Sequence, residues 1–402
     1  MARLAARRRV DDLALFGGWP AFREPLCVGR PAAGDRARLL ERIRGVLDRR
    51  WFTNDGPLVR EFEHQLARTL GVRHAVATCN GTVAIEILAR AAELTGEVVV
   101  PAFTFVATAH ALRWVGLKPV FCDVEPHGHT LDPARVEACI TPRTRAILGV
   151  HLWGRTCHVE ALEGIARRRG LRLFFDAAHA FGCTRGGRPV GGFGDAEVFS
   201  FHATKVFNTF EGGAVTTDND GLAHRLRLMR NFGFAGYDQV VSLGINGKMS
   251  EISAAMGLTG LESLESRLEE NRRHHERYRA GLAGLSGVKL LRYDEAERNN
   301  FQYVVVEIDP EQAGVGRDRL VEILHAENVI ARRYFHPGVH RMEPYRSEDP
   351  AAGRRLPVTE SLAQRVLTLP TGPATRPRDV ERVCELVRFV VAHAHELDRK
   401  AA

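Results

Sequence analysis

No run of apolar residues in this 402-residue chain reaches the roughly 18 needed to cross a bilayer, which excludes a transmembrane helix. Cysteine supplies no framework. The seven cysteines, Cys27, Cys79, Cys122, Cys139, Cys157, Cys183 and Cys384, are odd in number and scattered, and no C-x-x-C spacing occurs. Neither a disulfide scaffold nor a zinc site is therefore expected, and a reducing cytoplasm is the simplest location. The N-terminal Met1-Ala-Arg-Leu-Ala-Ala-Arg-Arg-Arg9 lacks an apolar segment of signal-peptide length. It reads as a frayed basic tail, and residues 1–12 are set apart from the fold. There is no internal repeat, no helix-turn-helix segment and no basic helix. The net charge of +7 is spread along the chain, so a nucleic-acid partner is not expected.

What is present is alternation. Arg38 to Asp48 and Pro57 to Leu70 carry apolar residues at helical spacing, with Leu39, Ile43 and Leu47 as one stripe. Val72–Thr78 predicts a strand, Asn80-Gly81-Thr82 a turn, and Val83 to Leu94 a helix. Strands then follow at Glu97–Pro101, Lys118–Asp123, Thr144–Val150 and Leu171–Phe175, with helices around Thr104–Gly116, Pro133–Cys139 and Val159–Arg169 between them. Such a series predicts an α/β fold whose mostly parallel sheet is covered by helices on both faces. A long helical stretch from Glu251 through Leu282 changes the texture. It leads to a smaller α+β C-terminal lobe with a strand at Phe301–Ile308 and helices at Arg317–Glu327 and Asp379–Ala394. The expected division is a large domain over 1–260 and a small one over 261–402, each long enough to bury its own core.

The chemistry concentrates in Ser200-Phe-His-Ala-Thr-Lys205-Val-Phe-Asn-Thr-Phe-Glu-Gly-Gly213, read together with Asp176 at the end of an apolar run. A lysine held partly out of water favours its neutral amine, which attacks an aldehyde to form a Schiff base. Pyridoxal 5'-phosphate is the cofactor that offers such an aldehyde, and it works best with a carboxylate on its ring nitrogen, a role open to Asp176. Taken singly, Lys205 also reads as a surface lysine and Asp176 as a strand-end cap. Gly81 and Thr82, at a helix start, form either an ordinary N-terminus or a phosphate cradle.

The combination decides. Asp176-Ala-Ala-His179, the Gly-rich turns at Gly186-Gly187 and Gly191-Gly192, the strand Glu197–Phe201, the lysine and Glu211-Gly-Gly213 resemble the DegT/DnrJ/EryC1/StrS sugar aminotransferases. The resemblance runs from about Leu15 to Phe389. It includes Trp51–Glu63, Pro101–Thr108, Gly244-Ile-Asn-Gly-Lys-Met-Ser-Glu251 and His340–Arg346. It implies a type I, aspartate aminotransferase-like fold and the following site. Lys205 and Asp176 are the catalytic pair. Gly81, Thr82 and Ser200 hold the cofactor phosphate, Phe105 lies over its ring, and His179 stands near its phenolic oxygen. Asn246 arrives from the neighbouring subunit, which makes a homodimer with composite sites. Thr53, Asn54, Arg185, Arg230, Lys248 and His336 are the candidates for the substrate side. Lys248 stands where family members commonly carry Arg, a compact charge in place of a planar fork.

Because Lys205 is not replaced by histidine, the resemblance implies transamination and not dehydration. The expected reaction converts a nucleotide-linked keto sugar, foremost a dTDP-4-keto-6-deoxyhexose, into its 4-amino derivative, with an amino-acid donor such as L-glutamate. Amination at C3 or of a cyclitol ketone is the alternative within the family, and a cofactor-binding regulator without catalysis the alternative outside it.

Overall fold

The computed structural model describes residues 7–401. Its centre is a seven-stranded sheet in the spatial order His74–Thr78, Gly213–Thr217, Ala196–Ser200, Arg172–Asp176, Thr144–Val150, Glu97–Pro101, Lys118–Cys122. Gly213–Thr217 runs antiparallel to both neighbours, and every other pairing is parallel. Both faces are buried. Phe62, Leu66, Ile147, Phe175 and Phe199 pack on one face, and Ile85, Leu88, Val98, Leu148 and Val198 on the other. This is the α/β architecture expected from the alternating pattern.

The helices follow their sequence cues. Pro57–Leu70 begins with proline at its first position and buries Val59, Phe62, Leu66 and Leu70, one stripe at spacings of three and four. Gly71 ends it with φ of 67°. The helix start is held from outside. Glu251 is fully buried and accepts hydrogen bonds from the Leu58 and Val59 amides at 3.0 and 2.8 Å. This satisfies two of the amides that a helix N-terminus leaves unpaired.

Three expectations are corrected. The stretch from Glu251 to Leu282 is two helices, Glu251–Glu262 and Leu264–Gly281, because Ser263 takes a non-helical φ of −109° and ψ of 8°. Asn80-Gly81-Thr82 is no separate turn, since Asn80 caps a helix that already starts at Gly81 and accepts a hydrogen bond from the Val83 amide at 2.8 Å. Residues 7–12, expected as part of a frayed tail, are docked. Val10–Asp12 forms a short 3-10 helix, and Val10, Leu13, Ala21 and Leu26 join the core of the C-terminal lobe. Residues 1–6 of that expected tail lie outside the described residues.

That docking turns on Glu327. Its side chain is fully buried, pairs with Arg7, and accepts from the Ala14 and Ala21 amides at 2.8 and 2.6 Å. The C-terminal lobe itself is a three-stranded antiparallel sheet, Val288–Leu290, Val304–Ile308 and Val366–Leu369, packed against Arg317–Ala326 and Pro377–Ala392. Glu327→Ala leaves the Ala14 and Ala21 amides without acceptors and takes the carboxylate from Arg7, whose guanidinium keeps the Trp19 carbonyl at 2.7 Å. It is expected to cost about 3 kcal/mol in urea denaturation and to open residues 7–25 to limited proteolysis. An unchanged digestion pattern would show that apolar packing alone holds the segment.

Candidate active site

The carboxyl ends of the parallel strands converge on one edge of the sheet, where open α/β sheets place their ligands. Arg172–Asp176 ends in Asp176 and Ala196–Ser200 in Ser200. Asn80 follows the strand His74–Thr78. Asp176 is only 7% exposed. Its Oδ1 accepts from the Ala178 amide at 3.1 Å and its Oδ2 from the Thr108 hydroxyl at 2.8 Å, with Thr104 against Thr108 at 3.1 Å. Burial pushes its carboxyl above the ordinary range, opposed by those two donors and by the Lys205 amine. A cationic N–H brought to this carboxylate relieves that cost, which is the partner a protonated pyridine ring provides.

Lys205 lies in the turn after Ser200, its amide bonded to the His202 carbonyl at 2.9 Å, and it is half-buried. Desolvation pulls its pKa from 10.5 to about 8, against the raising influence of Asp176 and Tyr334. A useful fraction of the amine is thus neutral near pH 8. His179 is buried, with Nε2 3.3 Å from the Tyr303 hydroxyl and Nδ1 without a partner. Burial first, then the Lys205 charge, holds it well below the usual histidine range, so its ring is neutral.

The cradle is built by close approach. A Cβ at Gly81 would lie 2.9 Å from the Ser200 Cβ, and one at Gly213 would lie 2.6 and 2.7 Å from the Asn80 carbonyl carbon and the Gly81 nitrogen. Only glycine therefore lets these backbones meet. Among the described residues the Gly81 and Thr82 amides have no acceptor, and with the Ser200 hydroxyl they face a helix N-terminus suited to a dianion. Phe105 is 55% exposed in the segment after Pro101, with a ring face free to cover a planar group.

The substrate-side candidates scatter. Thr53 and Asn54 are exposed in a segment braced by Trp51 Nε1, which donates to the Thr53 carbonyl at 2.7 Å, and by the Glu251 amide, which donates to the Phe52 carbonyl at 2.9 Å. Arg230 is buried and committed to Glu63, to Asp55 at 3.2 Å and to the Ala77 carbonyl at 2.8 Å. Arg185 is paired with Glu160 at 2.6 Å. Neither guanidinium is brought to the Lys205 cluster. Each is paired with a carboxylate from a helix, Glu63 of Pro57–Leu70 for Arg230 and Glu160 of Val159–Arg169 for Arg185. Lys248 donates to Asn231 Oδ1 at 3.0 Å and lies 4.6 Å over the Phe232 ring. His336 sits against Arg317 and the Ala363 carbonyl, and Asn246 is exposed.

Four neighbours escaped the sequence reading. Thr108 steadies Asp176, and Tyr303 meets His179. Tyr334 stands beside Lys205 with Arg332 over its ring at 5.4 Å, and Trp153 packs 5.6 Å from His179. For Tyr303 the only signal is a tyrosine at the mouth of an apolar strand. A cavity of about 920 Å³ lined by Arg272, Arg279, Glu269 and Tyr293 shares no residue with this cluster. Among the described residues no group of three His, Cys, Asp or Glu side chains is placed to hold a metal ion, and no helix is long and apolar enough to cross a membrane.

The model of the DegT/DnrJ/EryC1/StrS aminotransferase family matches residues 34–388. The chain belongs to this family. It is 36% identical over 346 residues to a dTDP-4-amino-4,6-dideoxy-D-glucose transaminase of Escherichia coli, covering 85% of this chain and 92% of that protein. Over 343 residues it is 35% identical to GDP-perosamine synthase of Caulobacter vibrioides, 84% and 91% being covered. Among solved structures it is similar to DesI, crystallised in the presence of its TDP-sugar product, with 53% identity and a TM-score of 0.94 over 98% of this chain and 100% of that one. The chain is an aminotransferase with a type I fold, and its cofactor is pyridoxal phosphate. The buried acceptor Asp176, the low-pKa amine of Lys205, the unpartnered His179 Nδ1 and the glycine cradle fit that cofactor.

The Lys205 shift has a measurable sign. Between pH 8 and 10.5 the unfolded chain keeps a proton on this lysine that the folded chain has released, so stability rises with pH across that window. A Lys205→Met apoenzyme lacks this slope. Its stability relative to the unsubstituted apoenzyme is expected to be constant below pH 8 and to shrink by about 3 kcal/mol on going to pH 10.5. Parallel curves across the window would place the amine in water.

Proposed function

We propose that the chain converts a dTDP-4-keto-6-deoxyhexose into the corresponding 4-amino sugar, with an amino acid such as L-glutamate as donor. The chemistry rests on one observation, the desolvated Lys205 amine beside the buried Asp176 carboxylate at the sheet edge. The choice of sugar rests on similarity to the E. coli transaminase and to DesI.

Bound here, pyridoxal phosphate supplies an aldehyde and an electron-withdrawing ring. Lys205 holds the cofactor covalently, and its freed amine takes the donor's Cα proton and later returns one, a general base and acid whose pKa of about 8 suits both tasks. Asp176 keeps the ring nitrogen protonated, and Thr108 and the Ala178 amide hold its carboxylate in place. Gly81, Thr82 and Ser200 would hold the phosphate, Phe105 would cover the ring, and His179 would face the phenolic oxygen. Thr53, Asn54, Lys248 and His336 serve the sugar nucleotide. Arg185 and Arg230 are further candidates for it, and Arg230 also fixes Asp55 beside Asn54.

A second copy of the chain completes the site. Phe232, Phe234, Tyr237, Val240, Val241, Leu243 and Ile245 are all exposed within one short segment, a concentration of apolar surface that marks an interface. Asn246 continues that segment and would enter the partner's phosphate cradle. The break at Ser263 supports a domain boundary near residue 260, with residues 7–27 packed on the small domain. The seven free cysteines agree with a reducing cytoplasm.

Borohydride treatment of the holoenzyme is expected to fix the cofactor to the peptide that contains Lys205, and recovery of the label on Lys248 would reject the assignment. Asp176→Asn should retain cofactor and lose about a hundredfold or more in turnover, since an amide cannot hold the ring nitrogen protonated. Incubation with L-glutamate and a panel of dTDP- and GDP-linked 3-keto and 4-keto sugars, read by mass and NMR, is expected to yield an amine at C4 of a dTDP sugar. A C3 amine as the main product would overturn the substrate reading.

Co-expression of Lys205→Ala chains with chains disabled at Asn246 tests the composite site. Random pairing makes half the dimers hybrid with one intact site of two, so about a quarter of full activity should return. No recovery, with hybrids confirmed by mass, would remove Asn246 from the partner's site.

A further inference from the structure

His179 is neutral and carries one proton on either of two nitrogens, and its surroundings select which. Its ring is enclosed by Trp153 at 5.6 Å, Phe335 at 6.0 Å and Tyr303 at 4.5 Å between centroids. Nε2 faces the Tyr303 hydroxyl at 3.3 Å, whereas Nδ1 is buried with no partner in the chain. Tyr303 is 4% exposed, the Gln302 side-chain amide lies against its phenol oxygen as a donor, and His179 Nε2 is the acceptor within reach of its hydroxyl hydrogen. Were Nε2 the protonated nitrogen, it would donate to the phenol oxygen and leave the phenol's own hydrogen buried without an acceptor. An orphaned buried donor costs about 1–3 kcal/mol. With the phenol donating to Nε2, every hydrogen on the pair has a place except one on Nδ1. That one is left to serve a ligand.

We infer that Tyr303, supplied by the C-terminal lobe, is a positioning residue that donates its hydroxyl hydrogen to His179 Nε2 and thereby makes Nδ1 a fixed hydrogen-bond donor toward the cofactor's phenolic oxygen. The inference rests on the reading that His179 faces the cofactor. Two further facts agree with it. Burial pushes the Tyr303 phenol well up, which keeps its hydrogen in place, and the Val206 amide next to Lys205 donates to Gln302 Oε1 at 2.8 Å. The second contact ties the segment that carries Tyr303 to the segment that carries the reactive lysine.

The test reads the tautomer directly. In the apoenzyme labelled with ¹⁵N-histidine, multiple-bond ¹H–¹⁵N correlation, with His179 assigned by loss of its signal in His179→Phe, is expected to show the Nδ1–H form. Tyr303→Phe removes the hydroxyl and keeps the ring, and it should abolish that preference. In the holoenzyme the same variant should shift the visible absorption maximum of the bound cofactor and lower kcat about tenfold with little change in KM for the amino donor. An Nε2–H form in the unsubstituted apoenzyme overturns the inference, as does a Tyr303→Phe variant with unchanged tautomer, spectrum and kcat. A His179→Phe variant with an unaltered cofactor spectrum and full turnover would instead reject the placement of His179 at the cofactor.

Discussion

The structure is organised around the cost of keeping an amine and a carboxylate together out of water. Desolvation alone would neutralise both Lys205 and Asp176, one by losing a proton and the other by gaining it. Their mutual attraction, with the Thr108 hydroxyl and the Ala178 amide on Asp176, opposes both shifts and leaves the Lys205 amine with a pKa of about 8. A pair poised in this way is a liability for folding and an asset for proton transfer. Its placement follows from topology, because the carboxyl edge of a parallel sheet gathers loop residues from distant parts of the chain without long connections.

Both lobes are needed to hold that pair in its setting. The sheet edge supplies Lys205, Asp176 and His179, while Tyr303 and Tyr334 reach the same cluster from the C-terminal lobe. Buried polar contacts join the lobes elsewhere. Asp123, after the edge strand of the large sheet, accepts from the Val358 and Thr359 amides at 3.0 and 2.8 Å. His129 takes the Trp153 indole hydrogen at Nδ1, at 3.2 Å, and meets Glu307 at 3.1 Å through Nε2. Trp153 in turn stacks on Phe335 at 5.2 Å and flanks His179. Separating the lobes would take Asp123 from the Val358 and Thr359 amides and Glu307 from His129, so the penalty for opening falls close to the walls of the site.

How much of this was legible in the sequence depended on whether the cue was local. Pro57–Leu70, Glu97–Pro101, Pro133–Cys139, Thr144–Val150 and Val159–Arg169 have the bounds that their periodicity and punctuation indicate. The short strand Gly213–Thr217 was not read as one, since Gly-Ala-Val-Thr-Thr resembles a turn until Ser200 and Thr78 are set on either side of it. Motif and chemistry agree on Lys205 and Asp176, and the structure brings the two side chains within each other's electrostatic reach. Thr108, Tyr303 and Tyr334 were not legible, because their roles come from contacts across 68 or more positions that no spacing records. Arg185 and Arg230 show a second limit of local cues. A sequence lists charges without saying which are already paired, and Glu160, Glu63 and Asp55 decide the matter only in three dimensions.

Glu251 shows why motif residues need not touch the chemistry they accompany. It ends the Gly-Ile-Asn-Gly-Lys-Met-Ser-Glu segment, yet its carboxylate is spent on the Leu58 and Val59 amides and its own amide on the Phe52 carbonyl. The approach is so close that a Cβ at Gly56 would lie 2.5 Å from the Glu251 carboxyl carbon. The effect is to set the start of one helix against the start of another, and so to fix where the exposed loop with Thr53 and Asn54 stands. Asn246 and Lys248 leave from the same segment on its other side. One buried carboxylate therefore registers two loops against each other, and loop residues that are free to vary remain held in a common frame.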